Sequence, residues 1–187
     1  MISLILKYVL FFALDIIFYV SNLFVAPVLS LFTKAQVDLD EKTERWGWLY
    51  GTWDNPPQGD TKHQREGLFP YATTGVKGYI MRVLWLYRNP AYGFQKAVGI
   101  PYNKRGIIHC VGDEDISDKY GRPGYYYATY KLDDKLEAFE FYAVLPYTKT
   151  RCLRIRLGWK LMTDKFERYG FATYVDTITP FKRYNQG

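Results

Sequence analysis

The sequence predicts an α+β protein: an N-terminal membrane-anchor helix followed by one domain with a mainly antiparallel five-stranded meander and one or two helices. Three observations carry this expectation. An apolar stretch opens the chain at residues 1–32, apolar residues recur at helical spacing over residues 75–88, and from residue 105 onward short runs rich in Val, Ile, Tyr, Phe and Thr alternate with turn residues. The 187 residues then divide into an anchor (1–32), a polar linker (33–45) and a single domain (46–187). A domain of that size buries one hydrophobic core and is too small to expect two.

Between Tyr8 and Phe32 the only charge is Asp15, and a helix needs only about 20 apolar residues to cross a bilayer core. A secretory leader would end in a small-x-small cleavage site. Around Val25-Ala26 that site is blocked by Pro27 and preceded by bulky residues, so the helix is expected to stay attached. At about 100° per residue, Ser3, Lys7, Asp15, Asn22 and Ser30 share one side of the helix. A carboxylate facing lipid costs about 3 kcal/mol even on the gentler insertion scales. Asp15 is therefore expected to face protein, water or headgroups, and the stripe to mediate homo-oligomerisation or packing against a partner helix. The alternative is a helix lying in the interface plane with its polar stripe in water. Pro27 removes a backbone donor and is expected to kink or end the helix. Asp15, Asn22 and Pro27 are the candidate membrane-contact residues.

Lys7 and Asp15 cancel, so the formal charge of +6 belongs to residues 33–187. A basic domain held near a membrane has a natural resting surface in anionic headgroups. Lys34, Lys42 and Arg45 follow the apolar run whereas Lys7 alone precedes it, which favours a cytoplasmic domain. Cys110 and Cys152 sit in apolar or alternating runs and read as reduced, buried thiols. The chain has only two histidines, His63 and His109, and no Cys-x-x-Cys, so neither a metal nor a cofactor is expected.

After the linker, Trp46 to Asp60 (WGWLYGTWDNPPQGD) crowds tryptophans beside Asn55-Pro56-Pro57 and two acids. It reads as a structured loop, its rings needing something to pack on. In residues 75–88, Val76, Tyr79, Ile80, Val83, Leu84 and Tyr87 recur as on a helix face, and Asn89-Pro90 ends the run. Residues 91–99 form a candidate second helix. Strands are expected over 105–111, 125–131, 136–145, 151–160 and 170–178. Short connections between them imply an antiparallel meander. In the fourth, Leu153, Ile155, Leu157 and Trp159 alternate with Cys152, Arg154, Arg156 and Gly158, so the apolar set is expected to face the core and the charged set the opposite side.

The set Trp53-Asp54-Asn55-Pro56 with Gly59-Asp60, then Arg82-Val83-Leu84-Trp85 running into Arg88-Asn89-Pro90-Ala91-Tyr92-Gly93-Phe94, and later Gly158-Trp159-Lys160-Leu161, resembles a family of small uncharacterised proteins of tailed bacteriophages. The resemblance covers most of the chain in order. It implies a phage origin and a bacterial host and carries no activity with it; taken with the anchor, the expected location is the host inner membrane.

Asp54, Asn55, Asp60 and His63 on one loop, with Arg82, Arg88 and Asn89 near in space, form the best catalytic constellation, suited to acid/base work or a hard cation. Their spacing matches no nucleophile or metal motif, and the same residues serve equally to cap turns and pin the loop. Arg154 and Arg156 with Lys160 and the tyrosines at 125–127 offer a cationic, aromatic face, but no RNP-like sequence accompanies it, which argues against nucleic acid. The function expected is a non-catalytic interaction role at the host membrane, with membrane lipid and a host or phage membrane protein as partners. Trp48, Trp53, Asp54, Asn55, Asp60, Arg88, Asn89, Arg154 and Arg156 are the candidate binding residues. The alternatives are a membrane-associated hydrolase using Asp54 and Asp60, and a virion-associated structural protein.

Overall fold

The computed structural model describes residues 2–32, 50 and 75–185. Four helices and seven strands occur among them: α1 (Ile2–Phe32), α2 (Gly75–Arg88), α3 (Tyr92–Ala97), β1 (Ile100–Pro101), β2 (Ile107–Gly112), β3 (Gly124–Leu132), β4 (Lys135–Pro146), β5 (Arg151–Trp159), α4 (Asp164–Tyr169), β6 (Phe171–Ala172) and β7 (Tyr174–Arg183). The fold class is α+β, as expected. Contacts group the chain into two compact units, Phe11–Ala97 and Met1–Leu10 with Val98–Gly187.

In the first unit, α2 spans the residues that the helical period marks, and Asn89-Pro90 stops it. Ala91 turns the chain with a φ of 55° before α3. Hydrogen bonds pair Tyr79 with Pro27 and Tyr87 with Leu23, so α2 runs antiparallel to α1. Its inner face packs Trp85 and Leu86 on Ala26, with Leu29 and Tyr50 at the margin. Phe94 of α3 meets Phe18 and Phe11 of α1, at ring separations of 4.8 and 6.1 Å.

In the second unit, β2, β3, β4, β5 and β7 form one antiparallel sheet in that order. Asp133 and Asp134 make the β3–β4 turn with φ of 48° and 63°, the left-handed pair that a tight two-residue hairpin requires and that short polar side chains tolerate. Gly158 has φ of 101°, and a Cβ there would collide with the carbonyl oxygen of Phe139 on the neighbouring strand. Glycine is what lets β4 and β5 close on each other at that point. The last predicted strand divides in two: Phe171–Ala172 leaves the main sheet to pair with Ile100–Pro101, and the main sheet resumes at Tyr174.

One expectation about the sheet is reversed. The closed face carries Tyr126, Ala128, Tyr130, Ala138, Tyr142, Val144 and Cys152, all buried, and it is the face to which Arg154 and Arg156 belong. Phe166, Ile116 and Leu161 are buried with it. Phe166 of α4 sets its ring 5.2 Å from that of Tyr130. Leu153, Ile155 and Leu157 lie on the other face and are only half-buried, while Trp159, the fourth of that set, is fully buried there as expected. The charged side of β5 can point inward because carboxylates from elsewhere in the chain meet it.

Candidate functional site

Two places bring the sequence-predicted residues together, one in each unit. The first is the seam of α1 with α2 and α3. Asp15, Asn22 and Ser30 are 1, 2 and 0% exposed, so these three members of the polar stripe are turned inward. Ser3 and Lys7 at the helix start are exposed instead. The side-chain amide of Asn22 donates to the Leu86 carbonyl at 2.8 Å, one of the acceptors that the end of α2 leaves without an intrahelical partner. Gln95 of α3 donates to both carboxylate oxygens of Asp15 at 3.3 Å. The stripe is thus covered by the chain's own helices.

Pro27 does not end α1, which runs on to Phe32. Proline lacks the amide that would bond the carbonyl four residues back, and that carbonyl, on Leu23, accepts from the Tyr87 hydroxyl at 3.0 Å. Tyr79 donates to the Pro27 carbonyl at 3.2 Å, and Arg82 donates through Nε and Nη2 to the Ser30 carbonyl, each at 3.2 Å. A guanidinium on the last carbonyls of a helix also meets the negative end of its dipole. Asn89 closes α2 by donating its side-chain and backbone N–H to the Trp85 carbonyl, both at 3.0 Å. Arg88 lies exposed in the last turn of α2.

With Asp15, Asn22 and Ser30 turned inward, the outward face of α1 is apolar from Val9 onward. From Val9 to Leu31 the exposed residues are aliphatic or aromatic, Tyr19 carrying their only polar atom, and Phe24 is 75% exposed. At 1.5 Å per residue this face is about 33 Å long. By length and composition the helix is long and apolar enough to cross a membrane.

The second place is the closed face of the sheet, where Glu140 is fully buried. Its Oε1 accepts from Arg156 Nε at 2.6 Å, and its Oε2 accepts from the backbone amides of Leu161 and Met162 at 2.8 and 2.9 Å. Burial alone would pull the Arg156 guanidinium down, but Glu140 beside it holds it above its ordinary pKa. Asp118 takes a hydrogen bond from Tyr142 at 3.1 Å and ion pairs from Arg154 at 3.7 Å and Lys182 at 3.5 Å. Burial, and then Asp118, push the Tyr142 hydroxyl up to about 12. Burial likewise raises Tyr126, Cys110 and Cys152.

These groups answer one another: two carboxylates meet three cations and two amides. The arrangement fastens the segments at 118 and 161–162 onto the sheet. Arg154 and Arg156 were legible as a pair, but not their partners Glu140, Asp118, Tyr142 and Lys182. The available signal was Glu140 itself, an acid in the middle of the apolar run of β4. Trp48, Trp53, Asp54, Asn55 and Asp60 lie outside the described residues, as does His63. Among the described residues no group of three or more His, Cys, Asp or Glu could hold a metal ion.

No curated protein and no solved structure matches the chain. A family model described as a family of unknown function (DUF7338) matches residues 1–186, and the chain belongs to that family.

Proposed function

We propose that this is a membrane-surface protein whose α1 lies in the plane of the bilayer, apolar face in lipid, and whose role is to interact with membrane and protein partners rather than to catalyse a reaction. The observation that carries the reading is the division of α1 into a polar side turned to α2 and α3 and an outward side that, from Val9 to Leu31, carries no charge. What lies behind α1 supports lying flat over crossing. α2 runs beside residues 22–30 and exposes Lys77 and Arg88, the latter next to the Tyr87 that bonds Leu23, near the middle of the apolar stretch. Crossing would draw the Arg88 end of α2 toward hydrocarbon depth, where a charged side chain is costly to place. An in-plane helix sinks only about 5–10 Å and leaves both cations in water.

The resemblance to phage proteins supports a bacterial inner membrane as the surface and a role in infection. The segment holding Trp48 and Trp53, with Asp54, Asn55 and Asp60, is the candidate contact for a membrane-protein partner. Flotation of the full chain with phospholipid vesicles tests the anchor. Changing Ile16, Val20 and Phe24 together to serine should abolish flotation while the circular dichroism spectrum is kept. Undiminished flotation of that variant sinks the proposal.

A further inference from the structure

The sheet has a second face that the chain leaves largely open. Strand register sets Val111, Tyr127, Phe141, Leu157 and Asp176 in one row across it, and Tyr125, Ala143, Ile155 and Ile178 in the next. Val111, Tyr125, Tyr127 and Ile178 are exposed, Ile178 to 60%. The solvent side of an antiparallel sheet is ordinarily polar, and an apolar expanse of this kind marks a contact surface.

One end of this face is already occupied. Tyr8 of α1 sets its ring 5.2 Å from Phe139, 6.1 Å from Trp159 and 5.5 Å from Tyr174, and Leu4, one turn earlier, is buried. The helical period directs Ile2, Leu6, Val9 and Leu10 away from the sheet, and all four are exposed. Cations stand around the remainder. Lys131 is exposed on this face at the β2–β3 side, and Arg151 and Arg183 pair in register, exposed, at the end away from Tyr8. Asp176 is the acid within the rows, and it accepts from the Tyr174 hydroxyl at 3.4 Å.

We infer that this face is a second lipid-contact surface, seated in the headgroup layer of an anionic bilayer; the inference rests on the membrane reading above. Three features select this occupant. The face continues directly into the apolar side of the first turns of α1. Those turns stand off the sheet by a helix diameter, about 10–12 Å, so lipid tails meeting them leave the sheet at headgroup depth. The residues there suit that layer, since tyrosine rings favour the interface and exposed cations favour phosphate and carboxylate headgroups.

The test uses the full chain with Cys110→Ser, Cys152 being fully buried, and a fluorescent label at Tyr127→Cys, Phe24→Cys or Tyr120→Cys. Tyr120 lies exposed in the 113–123 segment, whose Asp118 bonds Tyr142 on the closed face. On phosphatidylserine-containing vesicles, brominated lipid should quench the labels at 127 and 24 and spare the one at 120. Arg151→Gln with Arg183→Gln should weaken binding to those vesicles about fivefold per cation removed, about 25-fold together, and leave binding to phosphatidylcholine vesicles unchanged. A quenched label at 24 with a silent label at 127 overturns the inference and leaves the anchor standing, as does unchanged affinity of the double variant. Equal quenching at 120 and 127 also overturns it, and silence at both 24 and 127 overturns the anchor as well.

Discussion

The Tyr87 hydroxyl donates to the Leu23 carbonyl at 3.0 Å, the acceptor that Pro27 leaves without an amide four residues on. A helix interior tolerates proline when a neighbour supplies the missing donor. Here α2 supplies it, and α1 passes through Pro27 to Phe32.

The pair should therefore couple. Tyr87→Phe removes the donor and is expected to cost about 1 kcal/mol, the worth of a typical hydrogen bond. In a Pro27→Ala background the residue 27 amide can take the Leu23 carbonyl, and the same Tyr87→Phe change should cost close to nothing. A double-mutant cycle by urea unfolding reads this directly. Equal costs in both backgrounds would mean that Tyr87 does not stand in for the proline.

Glu140 is the acid on which the closed sheet face depends. Glu140→Gln leaves Arg156 without its counter-charge in a buried setting, and breaking such a pair from one side typically costs about 3–5 kcal/mol. The expected result is a large fall in the urea midpoint, with the 161–162 segment losing amide-exchange protection first because its two amides bond Oε2. A midpoint within experimental error of the parent would show that the pair contributes nothing.

Tyr142 sets an alkaline limit. Its folded pKa, about 12, stands above the ordinary 10.0. The unfolded chain therefore loses the proton first as pH rises. The stabilisation is fully present below pH 10 and is lost between about 10 and 12. Two units correspond to roughly 3 kcal/mol as an upper bound. Stability measured from pH 9 to 11.5 should fall, and Tyr142→Phe should flatten part of the slope; an unaltered slope would remove Tyr142 from the account.

Much of this architecture was legible in residue pattern. The period of three and four across Val76 to Tyr87, stopped by Asn89-Pro90, marks α2 to the residue, and turn chemistry at Asp133-Asp134 marks the β3–β4 hairpin. The short β1 and β6 were not legible: two residues each, they exist only because Ile100 and Ala172 pair across seventy residues of chain. Nor was the choice of sheet face. β5 shows Leu, Ile, Leu and Trp on one side, which by burial alone should be the inner one, yet Arg156 points inward because Glu140 on β4 meets it. The polar stripe of α1 was visible at Asp15, Asn22 and Ser30. Its cover was not, because the groups that meet it, Leu86, Gln95 and Arg82, lie more than fifty residues away and carry no local signature.

The most direct measurement concerns the two ends of α1. Single cysteines at Ser3 and at Lys34, just past α1 in the sequence, in the Cys110→Ser background and in sealed vesicles, are challenged with a thiol reagent that cannot cross the bilayer. An in-plane helix places both ends on one side, and the account predicts that both are modified without permeabilisation. Modification of one end alone, with the other reached only after the vesicles are opened, would show that α1 crosses the membrane and would contradict it.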